Sequence, residues 1–139
     1  MTRGHLPAWV RRKRRDVVQS ILEALSAAMT AGDDDGIRAV LHPEVELVVD
    51  DGGTVPSSSP DVAPGSDGRN AAVVRLRALL ASDIAITMAS VNSSPGLLLV
   101  REGEGRDEVV GVVTAHMRDR LLANVWVVCN PDKLRHWNR

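Results

Sequence analysis

The chain has 139 residues, enough for one domain with a sizeable hydrophobic core. Its 44% hydrophobic and 25% charged residues are ordinary for a soluble globular protein, and a formal net charge of −1 leaves no global field to recruit nucleic acid or a membrane surface. With three Trp and no Phe or Tyr, the core must be built from Val, Leu, Ile, Ala and Met, and stacking platforms for single-stranded nucleic acid are scarce.

Residues 1–15 read as a basic arm ending in Arg11-Arg12-Lys13-Arg14-Arg15. The spacing of Val18, Ile21, Leu22, Leu25, Ala28 and Met29 predicts a helix over about 16–31, with Asp16 as its N-cap and Gly32 as its stop. Asp33, Asp34 and Asp35 place negative charge at the start of a second, short helix, where the helix dipole favours it. That helix carries Ile37, Val40 and Leu41 and ends at His42-Pro43. Alternation at Val45, Leu47 and Val49 predicts a strand. A Gly-, Ser-, Pro- and Asp-rich stretch from Asp51 to Gly68 is long enough to be functional or disordered. A third helix is expected over about 69–81, with Val73, Leu76, Leu79 and Leu80 as its apolar face.

The remainder reads as a meander, with strands at 84–91, 97–101, 109–117 and 121–128. Turn signals at Asn92–Gly96, Glu102–Gly105 and Arg118–Arg120 separate them. Two helices, a strand, a helix and four strands make an α+β fold, with helices on one face of a mostly antiparallel sheet. The third and fourth strands of the meander are apolar on both parities, as strands buried on both faces are. Helices cover one face only, so a second subunit is expected over the other, giving a homodimer.

One cysteine, Cys129, excludes an internal disulfide and fits a reducing compartment. No apolar run approaches the roughly 20 residues of a membrane span, and no long apolar stretch follows the basic N-terminus as a signal peptide requires. A cytoplasmic location is therefore expected. No phosphate loop, nucleophile motif or metal-ligand cluster is visible, and no cofactor is expected.

Several segments together carry a family resemblance. A helix, Ala31-Gly32-Asp33, a second helix and His42-Pro43-Glu44-Val45-Glu46-Leu47 resemble the opening of SnoaL-like domains of the NTF2-like superfamily. More narrowly, Asp51-Gly52-Gly53 and Asn130-Pro131-Asp132-Lys133-Leu134 are similar to two motifs in the SnoaL-like C-terminal extension of certain extracytoplasmic-function sigma factors. The resemblance covers about residues 16–136. It implies a cone in which three helices pack on a curved, mostly antiparallel sheet and enclose a pocket. It also implies regulation of transcription, partly through contact of the last motif with a sigma factor's DNA-binding regions. The departures are a shorter glycine run, followed by Thr54 and Val55 rather than a basic residue, and an irregular loop over 57–66. No DNA-binding or polymerase-binding region is legible in these residues.

The candidate site residues each carry two readings. Asp50, with Asp51, is either a turn-forming acid before Gly52-Gly53 or a pocket general base of the kind the superfamily's enzymes use. His116 is either a pocket acid/base or a hydrogen-bonded sheet histidine. Trp126 shares parity with Leu122, Asn124 and Val128 and either lines a pocket or packs in the core. Asn92 and Asn124 are candidate pocket groups, or turn and edge residues. Residues Asn130, Pro131, Asp132, Lys133 and Leu134 form either a docking element or an Asx-type turn in which Lys133 pairs Asp132. The basic cluster could touch phosphates but fits a solvated arm or a remnant linker.

Two functions follow. The first is a small-ligand-binding or protein-docking domain linked to transcription regulation, with a small apolar ligand and a partner from the transcription machinery. The second is a small cyclase, isomerase or epoxide-hydrolase-type enzyme using Asp50 or His116 as base. The absence of a matched acid/base pair and of pocket Phe or Tyr leans against catalysis.

Overall fold

The computed structural model describes residues 8–50, 68–80 and 83–138, with side chains from Asp16 onward. The expected loop at Asp51–Gly68 thus lies, up to Gly68, outside the described residues, as does the chain before Ala8. The elements are α1 (Ala8–Ala31), α2 (Asp34–Val40), β1 (Leu41–Asp50), α3 (Gly68–Ala78), β2 (Ile84–Val91), β3 (Ser94–Arg101), β4 (Glu108–Arg118) and β5 (Leu121–Val128), closed by a 3₁₀ turn at Arg135–Trp137.

The first helix starts at Ala8, not near Asp16. No Gly or Pro interrupts residues 8–15, and Ala, Arg and Lys are strong helix formers, so the helix extends back through the basic cluster. Asp16 is consequently a residue of the helix interior rather than a cap. Gly32 stops the helix as expected, at φ 68°, a conformation that suits glycine. Its N–H donates to the Met29 carbonyl (3.1 Å) and the Asp33 N–H to the Ala28 carbonyl (2.9 Å), a Schellman ending. Asp33 then caps α2, its Oδ1 accepting the Gly36 N–H at 3.0 Å.

The second helix ends at Val40, and Leu41 already belongs to β1. Leu41 pairs with Leu122, and the register shifts before Glu46, which lets Pro43 sit in an irregular stretch of an end strand. The third helix stops at Ala78, short of the expected Ala81.

The sheet order is β1-β5-β4-β3-β2, with β1 parallel to β5 and every other pair antiparallel. β2 and β5 have the bounds the alternation predicts. The β2–β3 turn is tighter than expected: Asn92 and Ser93 alone form it, at φ 50° and 68°, so β3 begins at Ser94 rather than Leu97. Asp119 and Arg120 turn β4 into β5 in the same way, at φ 55° and 64°. Positive φ at both central positions matches the twist of the flanking strands.

The three helices pack on one face of this curved, unclosed sheet. Leu22, Leu25 and Met29 of α1, Ile37 of α2 and Leu76 of α3 meet Leu47, Leu97, Leu99, Val113, Val125 and Val127 in the main core. A second apolar cluster lies across the sheet. Val91, Val112 and Leu134 are its buried members, flanked by Leu98, Val109, Val128 and Trp137. Part of the face expected to need a second subunit is therefore covered by the chain's own C-terminal segment. This supplies an intrachain reason why Val112 and Val128 are apolar opposite the helices.

Candidate functional site

The C-terminal segment is the most elaborately held part of the described surface. β1 and β5 run side by side in the same direction, Asp50 opposite Val128, so the chain leaving β5 starts next to the end of β1. The Cys129 N–H donates to the Asp50 carbonyl at 2.7 Å. Asn130 then makes an Asx turn, its Oδ1 accepting the Asp132 N–H at 3.1 Å, while its carbonyl accepts the Lys133 N–H at 3.0 Å. That turn aims the Lys133 ammonium back at Asp50, and the two side chains form an ion pair. The expected Lys133–Asp132 pair is not made. Asp132 instead accepts from Arg135 at 2.9 Å, three residues on, where the turn closed by the Leu134 N–H on the Pro131 carbonyl doubles the chain back.

Asp50 is the one polar or charged residue among the described residues that counts as buried, at 8% exposure. A carboxylate there needs a partner charge, and Lys133 supplies it. Leu134, 3% exposed, anchors the next step in the second apolar cluster. Asn138 finishes the attachment. Its Oδ1 accepts the Val109 N–H at 2.7 Å and its Nδ2 donates to the Val109 carbonyl at 3.0 Å. β5 pairs with β4 only as far as Val112, so the Asn138 amide takes the place of the strand missing beside Val109. Arg106 also donates to the Asn138 carbonyl. Nothing in the sequence pattern singles out Asn138, an isolated amide near the chain end.

This segment walls a cavity of about 610 Å³ at the end of the sheet. Leu79, Ile84, Leu99, Val110 and Cys129 form its helix side, and Pro131, Leu134, Arg135 and Asn138 its other side. The lining is mainly apolar, with Arg101 and Glu108 adding charge. Two of the five residues of the 130–134 motif are thus cavity wall. Leu99 and Val110 carried no signal in the sequence beyond apolar character; a bulge between Leu99 and Val100 turns Val110 toward the cavity.

The other candidates lie elsewhere. Thr114 pairs with Trp126, and His116 with Asn124, on the sheet face away from the helices. The His116 and Trp126 rings meet edge to face, centroids 5.6 Å apart at 74°, and Trp126 is 38% exposed. Neither His116, Asn124 nor Trp126 lines the 610 Å³ cavity. Asn92 sits in the β2–β3 turn, where its positive φ gives it a conformational role. Asp50 lies level with Val112 of β4 through Val128, four residues along the strand from His116, or about 13 Å at strand rise. The two candidate bases are too far apart to act as a pair. Among the described residues no group of three or more His, Cys, Asp or Glu could hold a metal, and no helix is long and apolar enough to cross a membrane.

No protein-family model matches the chain, and no curated protein matches it by sequence. Solved structures do. The extracytoplasmic function sigma factor SigJ of Mycobacterium tuberculosis aligns over 85% of this chain at 27% identity and a TM-score of 0.56. This chain spans 44% of that sigma factor's chain. A protein assigned as a ketosteroid isomerase from Kribbella flavida aligns over 81% of this chain and 77% of its own, at 12% identity and a TM-score of 0.55. TerC, co-crystallized with polyporic acid, aligns over 86% of this chain and 96% of its own, at 14% identity and a TM-score of 0.55. The element order, the curved sheet with helices on one face and these neighbours agree with the resemblance carried by the sequence motifs: the chain has the NTF2-like α+β fold and is similar to SnoaL-like domains.

Proposed function

We propose that this is a non-catalytic regulatory domain that takes a small apolar molecule in the cavity at the sheet end and docks a protein of the transcription machinery through residues 130–134. One observation carries the reading: Pro131 and Leu134 of that segment are cavity wall, while Lys133 ties it to Asp50. A ligand in the cavity would therefore press on the same segment that a partner would touch. The 27% identity to a sigma factor supports transcription as the setting. Catalysis is the weaker reading, because the carboxylate of the candidate base Asp50 is already engaged by the Lys133 ammonium.

Native mass spectrometry of the purified protein, followed by denaturation of the same sample, tests the ligand half. A non-covalent mass that disappears on denaturation is the expected result. A protein that is empty as purified and takes up neither decanol nor a flat aromatic probe would refute it. Asp132→Ala tests docking, since Asp132 is solvent-facing and its carboxylate, among the described residues, pairs with the exposed Arg135. Partner binding should weaken, and unchanged binding removes the docking role.

A further inference from the structure

A second cavity, of about 550 Å³, lies beside the one at the sheet end. The two have one lining residue in common, Ile84. The divide between them follows the seam of β2 and β3. Leu99 of β3 lines the larger cavity, and Ile86, its partner on β2, lines the smaller. The consecutive residues Leu79 and Leu80, just past α3, part in the same way, one to each cavity. Ile84 begins β2, at the outer end of the seam, and is only partly buried, whereas Leu99 is 2% exposed. A side chain in that position has room to change rotamer.

Polar groups lie away from the divide. In the larger cavity, Glu108 of β4 and Arg135 of the C-terminal segment both reach the wall. β4 lies two strands from β2, so Glu108 stands about 10 Å from Ile84 at the usual strand spacing, the span of roughly eight carbons of an extended chain. Between them the wall is apolar, with Leu99 and Val110. Beyond Ile84 the smaller cavity continues with Leu80, Ile86 and Met29 before Arg77 and Thr30 make it polar.

We propose that the ligand is a linear amphiphile, an alkyl chain with a hydroxyl head, and that Ile84 sets the length of chain the domain takes. The inference rests on the reading that the cavity at the sheet end holds a small apolar molecule. Glu108 is an acceptor and Arg135 a donor, and a hydroxyl group satisfies both. A carboxylate head would meet the charge of Glu108, and an ammonium head that of Arg135. The chain then runs along Leu99 and Val110 to Ile84. A divide closed by one side chain admits a methylene chain when that side chain turns or is cut back, but not a ring.

Amide NMR titration of the full chain with straight-chain alcohols from hexanol to dodecanol tests this. In the unmodified protein affinity rises about fourfold with each added carbon and levels off near the chain length that reaches Ile84. Ile84→Ala joins the cavities, the rise continues, and dodecanol binds more than about tenfold tighter than to the unmodified protein. Ile84→Phe moves the break to shorter chains. Hexanol, too short to reach Ile84, binds all three proteins alike, which with a dispersed spectrum shows that the variants are folded. Ile84→Val, which loses one methyl group, replaces Ile84→Ala if that variant does not fold, and moves the break in the same direction. Octanoate and octylamine bind more weakly than octanol, and tighter binding of either overturns the choice of head. A break that stays in place in folded variants overturns the role of Ile84 and leaves the ligand reading standing, as does an unbroken rise in the unmodified protein. If no alcohol binds but a flat aromatic probe does, the linear ligand is overturned alone; if neither binds, the ligand reading falls with it.

Discussion

The Lys133–Asp50 pair is the strongest quantitative test of how the C-terminal segment is held. The Asp50 side chain is 12% exposed and that of Lys133 is 60% exposed. Removing one partner of a fully buried pair costs about 3–5 kcal/mol, whereas an exposed pair contributes about 0.2–1 kcal/mol. With one partner buried and the other largely in solvent, the coupling should fall between these limits, at about 1–2 kcal/mol. A double-mutant cycle isolates it: Lys133→Met keeps the apolar stem, Asp50→Asn keeps the shape, and the double variant closes the square. Urea unfolding provides the assay. Lys133→Met alone should lower the thermal midpoint by about 3–5 °C for each kcal/mol lost in a domain of this size. Because Asp50 is shielded, most of the coupling should survive high salt, which would screen an exposed pair. A coupling below about 0.3 kcal/mol, within ordinary additivity, would refute the claim that this pair fastens the segment.

Three further substitutions probe other parts of the argument. A Cβ at Gly96 would lie 2.7 Å from Val91 Cγ2 and 2.9 Å from the Val113 carbonyl oxygen, and the latter is backbone that cannot swing aside. Gly96→Ala should therefore cost about 1–3 kcal/mol in chemical denaturation, and an unchanged midpoint would contradict the packing described. Asn138→Ala leaves the Val109 N–H without its side-chain acceptor, so exchange of the Val109 amide should accelerate about tenfold in hydrogen-exchange NMR, the kinetic equivalent of about 1.4 kcal/mol. Asp33→Ala removes the cap of α2 and should destabilise the domain by about 1 kcal/mol, measured by thermal unfolding.

The positions of the candidate residues change what they can do. Trp126 and His116 meet edge to face on the open sheet face, whereas the described cavity at the sheet end is lined by Leu99, Val110 and Leu134 among others. Parity groups Trp126 with Leu122, Asn124 and Val128, and His116 with Val110, Val112 and Thr114, but Leu122 and Val110 pack in the helix-side core, because register shifts at His116/Met117 and Leu99/Val100 turn them to the other face. It could not tell which of the two faces the helices would take. That choice rests on the summed burial of Leu47, Val113, Val125 and Val127 against three helices, a property of the assembled sheet rather than of any one strand.

Local physics determined much of this protein from its sequence alone. The apolar stripe of α1, the Gly32 stop, the Asp33 cap and the bounds of β2 and β5 all depend on residues within a turn or a strand of one another, and so does the α+β order. The N-terminal extension of α1 was misread because Asp16 is a good cap in isolation, whereas nothing in residues 8–15 breaks a helix. The tertiary structure alone decided the partnerships across the chain. Lys133 and Asp50 stand 83 residues apart in sequence, and they meet because β1 runs parallel to β5 and both strands end at the same edge of the domain. Asn138 reaches Val109 because β5 stops short of it. Such pairings carry no local signal, since only the assembly of the sheet brings the two groups to one place.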